Sequence, residues 1–365
     1  MPSHLLDESL TKLEQRMLDY NEPPFRARQL ARWALQHGVT SFEAMTNIPA
    51  SLRARLSSEL TLLPPAVLAE SSSDDGSTIK VLLDLNNGAS VEAVRMNYDP
   101  DPPQASESRH TANSRIRSTV CVSTQIGCAI ACVFCATGQQ GFMRNLHAGE
   151  ILAQVLHFQR QSPISNVVFM GMGEPLANYD ATLTAIRWLI GRDGLGLRAR
   201  GITVSTVGLP DGIRRLANEN LQIGLTVSLH APDDELRQKL IPTAGRLTLD
   251  ELISASSDYI ERTGRRVSFA YALLENLNDK PHQARRLAAR LRGLRCHVNL
   301  IPYNPTAGEG LRRPSLARVR AFQRELQIAG INATVRIERG IEIAAACGQL
   351  RTDHINTTKT HPTEQ

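Results

Sequence analysis

Residues 121–135 read CVSTQIGCAIACVFC. Four of the chain's six cysteines fall in these fifteen residues: Cys128, Cys132 and Cys135 are spaced Cys-x-x-x-Cys-x-x-Cys, and Cys121 stands seven residues upstream. Thiolates this close can converge on one metal centre, because a short loop aims several sulfurs at one point. A fully ligated iron–sulfur cluster or a structural zinc needs four protein ligands, and the tight group offers three. Three sulfurs on a four-iron cluster leave one iron open, which is what a reactive site needs. One buried cysteine is ordinarily packing; three at this spacing are read as ligands.

Downstream of the cysteines, strand and helix patterns alternate. The candidate strands are STVCVST, NVVFMGM (166–172), GITVSTV (201–207), IGLTVSL (223–229), RVSFAYALL (266–274) and HVNLIPY (297–303). Helical stretches such as AGEILAQVLHFQRQ, DATLTAIRWLIG and KPHQARRLAARLRG lie between them, and ATVRIERG (333–340) can add a last strand. Apolar runs of this length suit a sheet buried on both faces. Six strand–helix units in a row imply a parallel sheet curled into a partial (βα)6 barrel. In such barrels the working residues gather at the carboxyl ends of the strands. The ends here are the cysteine loop, GMGEP (171–175), Ser205–Gly208, Ser228-Leu229-His230 and Tyr303-Asn304-Pro305.

Upstream, residues 5–60 read as helical, with Pro23 and Pro24 opening one helix, Gly38 closing it, and Ser41 and Pro49 as further starts. TIKVLLDL and SVEAVRMNY read as a hairpin around Asn87-Gly88. Residues 98–116 are polar and rich in Pro and Ser, a loop, and the tail after Leu350 is polar. The chain divides into an N-terminal helical domain (1–75), whose arginines Arg26, Arg28, Arg32, Arg53 and Arg55 can face RNA, hairpin and linker (76–117), an α/β core barrel (118–350) and a tail (351–365).

The 365 residues, 42% hydrophobic, allow a large domain and a smaller one. The net charge of +5 fits an anionic partner. No apolar run approaches the roughly 20 residues that span a bilayer, and MPSHLLDESL has no signal-peptide pattern. The expectation is a cytoplasmic protein, where thiols stay reduced and cysteines serve as ligands or catalysts.

The cysteine spacing resembles the signature of radical S-adenosylmethionine (radical SAM) enzymes. The string from Cys121 to Leu146, with ATGQQGFMRNL after the cysteines, is similar to one branch of them, the RlmN/Cfr RNA methyltransferases. The likeness runs from about Pro24 to about Leu350. It implies a radical-SAM barrel with a small helical accessory domain, a 4Fe–4S cluster on Cys128, Cys132 and Cys135, and S-adenosyl-L-methionine lined by Gly173, Glu174, Ser205, Ser228, Leu229, His230 and Asn304. Glu174 would meet the positive charge of the methionine amine. AACGQL resembles the family's second catalytic cysteine, Cys347, with Cys121 as its partner. Cys296, opening an apolar strand, is structural.

The reaction implied by the resemblance is staged. Cys347 is methylated by one S-adenosylmethionine. A radical from a second takes a hydrogen atom from that methyl, and the carbon radical adds to the adenine ring. Glu92 removes the ring proton, and Cys121 attacks the Cys347 sulfur, so that a transient disulfide releases the base. RlmN-type enzymes modify carbon 2 of an adenosine in 23S rRNA, and often a tRNA adenosine; Cfr-type enzymes modify carbon 8 of the rRNA adenosine and confer antibiotic resistance. GQQGFMRNL and Arg339-Gly340 look more like the RlmN type. A monomer with an electron donor such as flavodoxin completes the expectation. Two places depart from the family: Ala270 where Glu is usual, and Ile341-Glu342 where acidic or Ser-Asp pairs are typical. A reading of another class is a zinc-stabilised RNA-binding protein using the three cysteines and a histidine such as His147.

Overall fold

A computed structural model describes residues 3–62, 64–85, 88–98, 117–244, 247–306, 310–336 and 339–350. Asn87 of the expected turn, most of the polar 98–116 loop and the tail lie outside the described residues.

The N-terminal segment forms α1 (Leu10–Asp19), α2 (Phe25–Leu35) and α3 (Ala50–Glu59), with a short parallel pair, β1 (Ser3–His4) and β2 (Leu60–Thr61), closing its ends. Pro24 sits at the start of α2 and Pro49 at the start of α3, where a missing N–H costs nothing. No helix starts at Ser41; residues 41–44 are bends and turns.

The sheet proper begins earlier than the hairpin reading placed it. β3 (Ala66–Ser72), β4 (Thr78–Asp84) and β5 (Ser90–Tyr98) form an antiparallel meander, and β5 pairs antiparallel with β6 (Arg117–Cys121). β3, which the sequence division grouped with the helices, is an exposed edge strand and shows no apolar alternation.

Beyond β6 the main sheet is parallel. β7 (Gln125–Gly127) and β8 (Phe142–Asn145) make a separate two-stranded ribbon. The main sheet continues with β9 (Asn166–Phe169), β10 (Ile202–Thr206), β11 (Gly224–Ser228), β12 (Val267–Leu273), β13 (Cys296–Pro302) and β14 (Ala333–Val335), in the order β14-β13-β12-β11-β10-β9-β6-β5-β4-β3. Each new strand joins the outer edge of the one before, so right-handed crossovers keep their helices on one face. No ladder joins β14 to β3 among the described residues, so the barrel is open. β12 shows why the parallel strands read as apolar runs: Phe269, Tyr271 and Leu273 are fully buried, and Ala270 and Ala272 nearly so, on opposite faces of one strand.

The crossover helices carry ordinary punctuation. α5 (Ala148–Gln159) opens with Glu150 accepting from the His147 N–H at 2.8 Å. α9 (Leu249–Thr263) has a Thr248–Glu251 capping box and closes on Gly264 in the left-handed region. One continuous core runs from Leu5 through the sheet to Leu350. A smaller apolar cluster of Val207, Ala231, Leu240, Ile241, Leu274 and Tyr303 sits at the strand ends, and Ile130, Cys132, Val133 and Phe134 pack on it. The cysteine loop therefore rests on an apolar pad.

Candidate active site

The loop holding the three cysteines is the connection between β7 and β8. Gly127 takes a φ of +69°, and the Cys128 N–H donates to the Gly141 carbonyl at 2.9 Å, so the two ends of the loop are stapled at its neck. At its far side the Cys135 N–H donates to the Cys132 carbonyl at 3.1 Å, and the Val133 N–H to the Leu240 carbonyl at 3.1 Å. Cys135 then leads into the single turn α4 (Ala136–Gln139).

Cys128, Cys132 and Cys135 line one cleft, about 1100 Å³ when the space open to solvent is counted. Burial pushes the Cys128 thiol up to about 11, with Cys135 as a further cause, and raises Cys132 and Cys135 as well. Each of these thiolates is costly alone in an apolar site, and a soft cation is the partner that stabilises three together. The donor set thus fits an iron–sulfur cluster. As placed, the side chains are not drawn to one point: among the described residues no group of three His, Cys, Asp or Glu is arranged to hold an ion. His147, the fourth ligand of the zinc reading, is exposed at the start of α5 and is not part of the cleft lining.

The strand ends meet the loop in this cleft. Gly173, Glu174, Ser205, Ser228, His230 and Asn304 all line it, as expected at the carboxyl ends of parallel strands. Leu229 does not. Its N–H donates to the Ala270 carbonyl at 3.0 Å and its side chain belongs to the main core, because alternate residues along this stretch face opposite ways.

Glu174 differs in its bonding. Its two carboxylate oxygens accept from the Leu176 N–H at 3.0 Å and the Val207 N–H at 2.7 Å, while its own N–H donates to Gln125 Oε1 at 2.8 Å. Burial raises this carboxyl and the backbone donors oppose it. Glu174 ties β7, the GMGEP turn and the end of β10 together, in addition to bordering the cleft. His230, with a φ of +57°, accepts the Ala272 N–H on Nδ1 at 2.8 Å; burial pushes its pKa down to about 3, with Arg237 contributing. Phe134 of the cysteine loop meets its ring edge-on at 4.7 Å.

Cys121 and Cys347, 226 positions apart in the chain (347 − 121), line one further cavity with Met96, Met170 and Arg336. Burial pushes the Cys121 thiol up to about 12; nearby Cys347 adds to this, and Arg336 opposes it. Cys347 also lines the cleft of the three cysteines, so the two spaces share it. The C-terminal loop is pinned there by three bonds: Ala136 N–H to the Gly348 carbonyl at 2.8 Å, Thr137 Oγ1 to the Leu350 carbonyl at 2.6 Å, and Asn304 Nδ2 to the Cys347 carbonyl at 3.3 Å. Cys296 lies apart, buried at the start of β13 in the main core.

Glu92 is on β5, buried rather than exposed, with Lys80 Nζ at 3.0 Å from its Oε1. It borders neither cavity. Val94 is paired with Cys121, so strand alternation puts Glu92, Val94 and Cys121 on the same face of the sheet. Lys80 also donates to the Ala344 carbonyl at 3.3 Å, joining β4 to the loop that carries Cys347. Sequence reading overlooked Arg336, which lines both spaces; an arginine just past the last strand, at the catalytic end of the barrel, is the signal that points to it.

Comparison with known proteins agrees with this geometry. Residues 3–62 match the ribosomal RNA large subunit methyltransferase N-terminal domain, and residues 122–288 the radical SAM superfamily. The chain is 47% identical, over 96% of its length and 97% of the relative's, to a ribosomal RNA large subunit methyltransferase N of Nitrosopumilus maritimus. It is 50% identical, over 96% of both chains, to a probable dual-specificity RNA methyltransferase RlmN of Gloeobacter violaceus. A crystal structure of a radical SAM methyltransferase from Sphaerobacter thermophilus superposes with a TM-score of 0.86 at 46% identity, covering 96% of this chain and 99% of that one. With the cysteine loop, the strand-end cleft and the paired thiols in one place, the chain belongs to the RlmN family of radical SAM RNA methyltransferases.

Proposed function

We propose that this protein methylates carbon 2 of an adenosine in the peptidyl-transferase centre of 23S rRNA, and a tRNA adenosine as well, with Cys347 as the methyl carrier and Cys121 as the resolving thiol. The observation that carries the reading is the position of Cys347, which borders both the cleft of the three cysteines and the cavity of Cys121. The names of the relatives support an RNA substrate and favour the RlmN type over the carbon-8 type.

Cys128, Cys132 and Cys135 would hold a 4Fe–4S cluster, with S-adenosyl-L-methionine seated against Gly173, Glu174, Ser205, Ser228, His230 and Asn304. Bound there, the pair supplies one-electron chemistry, which an electrophilic ring carbon needs because it cannot act as a nucleophile.

The chain's own groups account for the remaining steps. Asn304 and α4 hold the Cys347 loop in place. Glu92, poised by Lys80, is the proton acceptor for the ring. Cys121 then loses its proton and attacks the Cys347 sulfur: the S–S bond forms as the bond from Cys347 sulfur to the substrate methylene breaks, its electron pair passes to the substrate, and the methylene takes up a proton to become the methyl group. Burial holds Cys121 as a thiol until that step, and Arg336 is the cation that favours its thiolate. An electron donor such as flavodoxin, a cytoplasmic site and a monomeric state belong to the same proposal.

Two measurements test it. Mass spectrometry of digested rRNA from cells carrying the protein should show 2-methyladenosine; 8-methyladenosine alone would move it to the other type. Cys121→Ala should stall as a covalent protein–RNA complex, a denaturant-resistant band removed by nuclease, whereas Cys347→Ala should form none. If both variants, folded and iron-loaded, were equally free of adduct, the two-thiol scheme would fail.

A further inference from the structure

Beside the two-thiol cavity lies a cluster that the methyl-transfer scheme does not use. Tyr98, the last residue of β5, is paired in register with Arg117, the first of β6. The Arg117 guanidinium lies 4.3 Å from the Tyr98 ring centroid, and that of Arg339 lies 4.8 Å from the same centroid. Arg339 is fixed from a second direction by its bond to the Asn97 carbonyl at 3.1 Å. Tyr98 and Arg339 both line the cavity that holds Cys121 and Cys347.

Two guanidinium groups gathered on one ring repel each other, and the ring's negative face offsets only part of that repulsion. Among the described residues no carboxylate lies within ion-pair distance of either arginine. Asp75 is the acidic group whose charge reaches Arg339; its carboxyl is held low chiefly by hydrogen bonds from Ser73 and Ser77. Paired cations with no carboxylate partner among the described residues, beside the cavity that holds the two thiols, have the chemistry of a phosphate site, since one phosphate accepts from two guanidinium forks at once.

We infer that Tyr98, Arg117 and Arg339 form a rim that grips an RNA backbone phosphate flanking the adenosine admitted to the Cys121–Cys347 cavity. This rests on the RNA methyltransferase reading above. The rim sets register; phosphate contacts position a nucleic acid and carry no base identity. Tyr98 keeps the two arginines oriented through its ring, so its hydroxyl is dispensable.

The test uses the full iron-loaded chain and a fluorescent RNA hairpin with an unpaired adenosine in its loop. Affinity is read by anisotropy over a series of salt concentrations. Arg117→Gln and Arg339→Gln should each lower the slope of log Kd against log salt by about 1, and the double variant by about 2, with affinity lost equally for hairpins of different loop sequence. Tyr98→Phe should match the parent. Replacing the phosphates beside the adenosine with uncharged methylphosphonates should weaken the parent and leave the double variant unchanged. A folded double variant with the parent's affinity and slope overturns the rim and leaves the methyltransferase reading standing. So does a methylphosphonate penalty of equal size in parent and double variant. A parent that binds the hairpin yet leaves its adenosine and cellular rRNA unmodified overturns the reading itself, and a parent that binds no RNA overturns both.

Discussion

Replacing Gly127 by Ala should disable the cysteine loop without touching a cysteine. The residue has a φ of +69°, which costs an L side chain about 1–2 kcal/mol. A Cβ there would stand 1.8 Å from the Gly141 carbonyl oxygen and 2.9 Å from its carbon. Both are backbone atoms, so no rotamer relieves the overlap; the ribbon must open, at about 1–3 kcal/mol for a forced core shift. Opening it breaks the 2.9 Å bond from the Cys128 N–H to that same oxygen, about 1 kcal/mol more. The total is about 3–6 kcal/mol, concentrated at the neck of the loop. Gly76 is the matched control, with a φ of +66° and nothing within 4 Å of where an alanine methyl would stand, so Gly76→Ala carries only the first cost. The assay is iron bound per chain after anaerobic reconstitution, together with the urea midpoint. Gly127→Ala should lose most of its iron and shift the midpoint well beyond Gly76→Ala, which should stay iron-replete. Equal shifts, with full iron in both, would refute the argument that backbone geometry at this neck positions Cys128.

Three further outcomes are expected. Cys296→Ser should keep iron and turnover and lose about 1–3 kcal/mol of stability, read from denaturation, because a buried hydroxyl replaces a thiol in the core. His230 is held neutral in the fold, near 3 against an ordinary 6.5, so the unfolded chain binds more protons between those values. The stability this group contributes is whole above about pH 6.5 and falls on acidification by about 1.4 kcal/mol per pH unit; urea midpoints at a series of pH values should show it, and His230→Asn should flatten the slope. Lys80→Met removes the ammonium 3.0 Å from Glu92, so the acid limb of the pH–rate profile should move upward by about 1–3 units; an unmoved limb would count against Glu92 as the proton acceptor.

Much of this was legible in the chain because burial on both faces writes strands as apolar runs. IGLTVSL and HVNLIPY could be read as strands, and their carboxyl ends pointed to the cleft. What was hidden depended on pairing or on facing. β3, AVLAESS, is almost wholly exposed and has no pattern to read. The β7–β8 ribbon was invisible because its strands are short and the cysteine loop separates them. Leu229 was grouped with its neighbours Ser228 and His230, although the alternation of side chains turns it into the core. Glu174 borders the cleft and Glu92 does not, and their partners, Val207, Leu176 and Lys80, come from other strands and turns. No local window contains that information. The meeting of Cys121 with Cys347 was expected from resemblance alone, since nothing in 226 residues of separation encodes it.

The pinning of the C-terminal loop onto α4 has a consequence for biosynthesis. A ribosome makes Cys135 212 residues before Cys347 (347 − 135), which at ordinary elongation rates is about 10–40 s. During that interval the nascent chain can present the three thiols while Cys347, the proposed methyl carrier, has not yet been made. A chain cut short anywhere in the last strand would have the three-cysteine loop but would lack Cys347, the proposed methyl carrier and partner of Cys121. The proposed metal loop and the proposed methyl carrier are therefore joined only when the loop of Cys347 docks on α4.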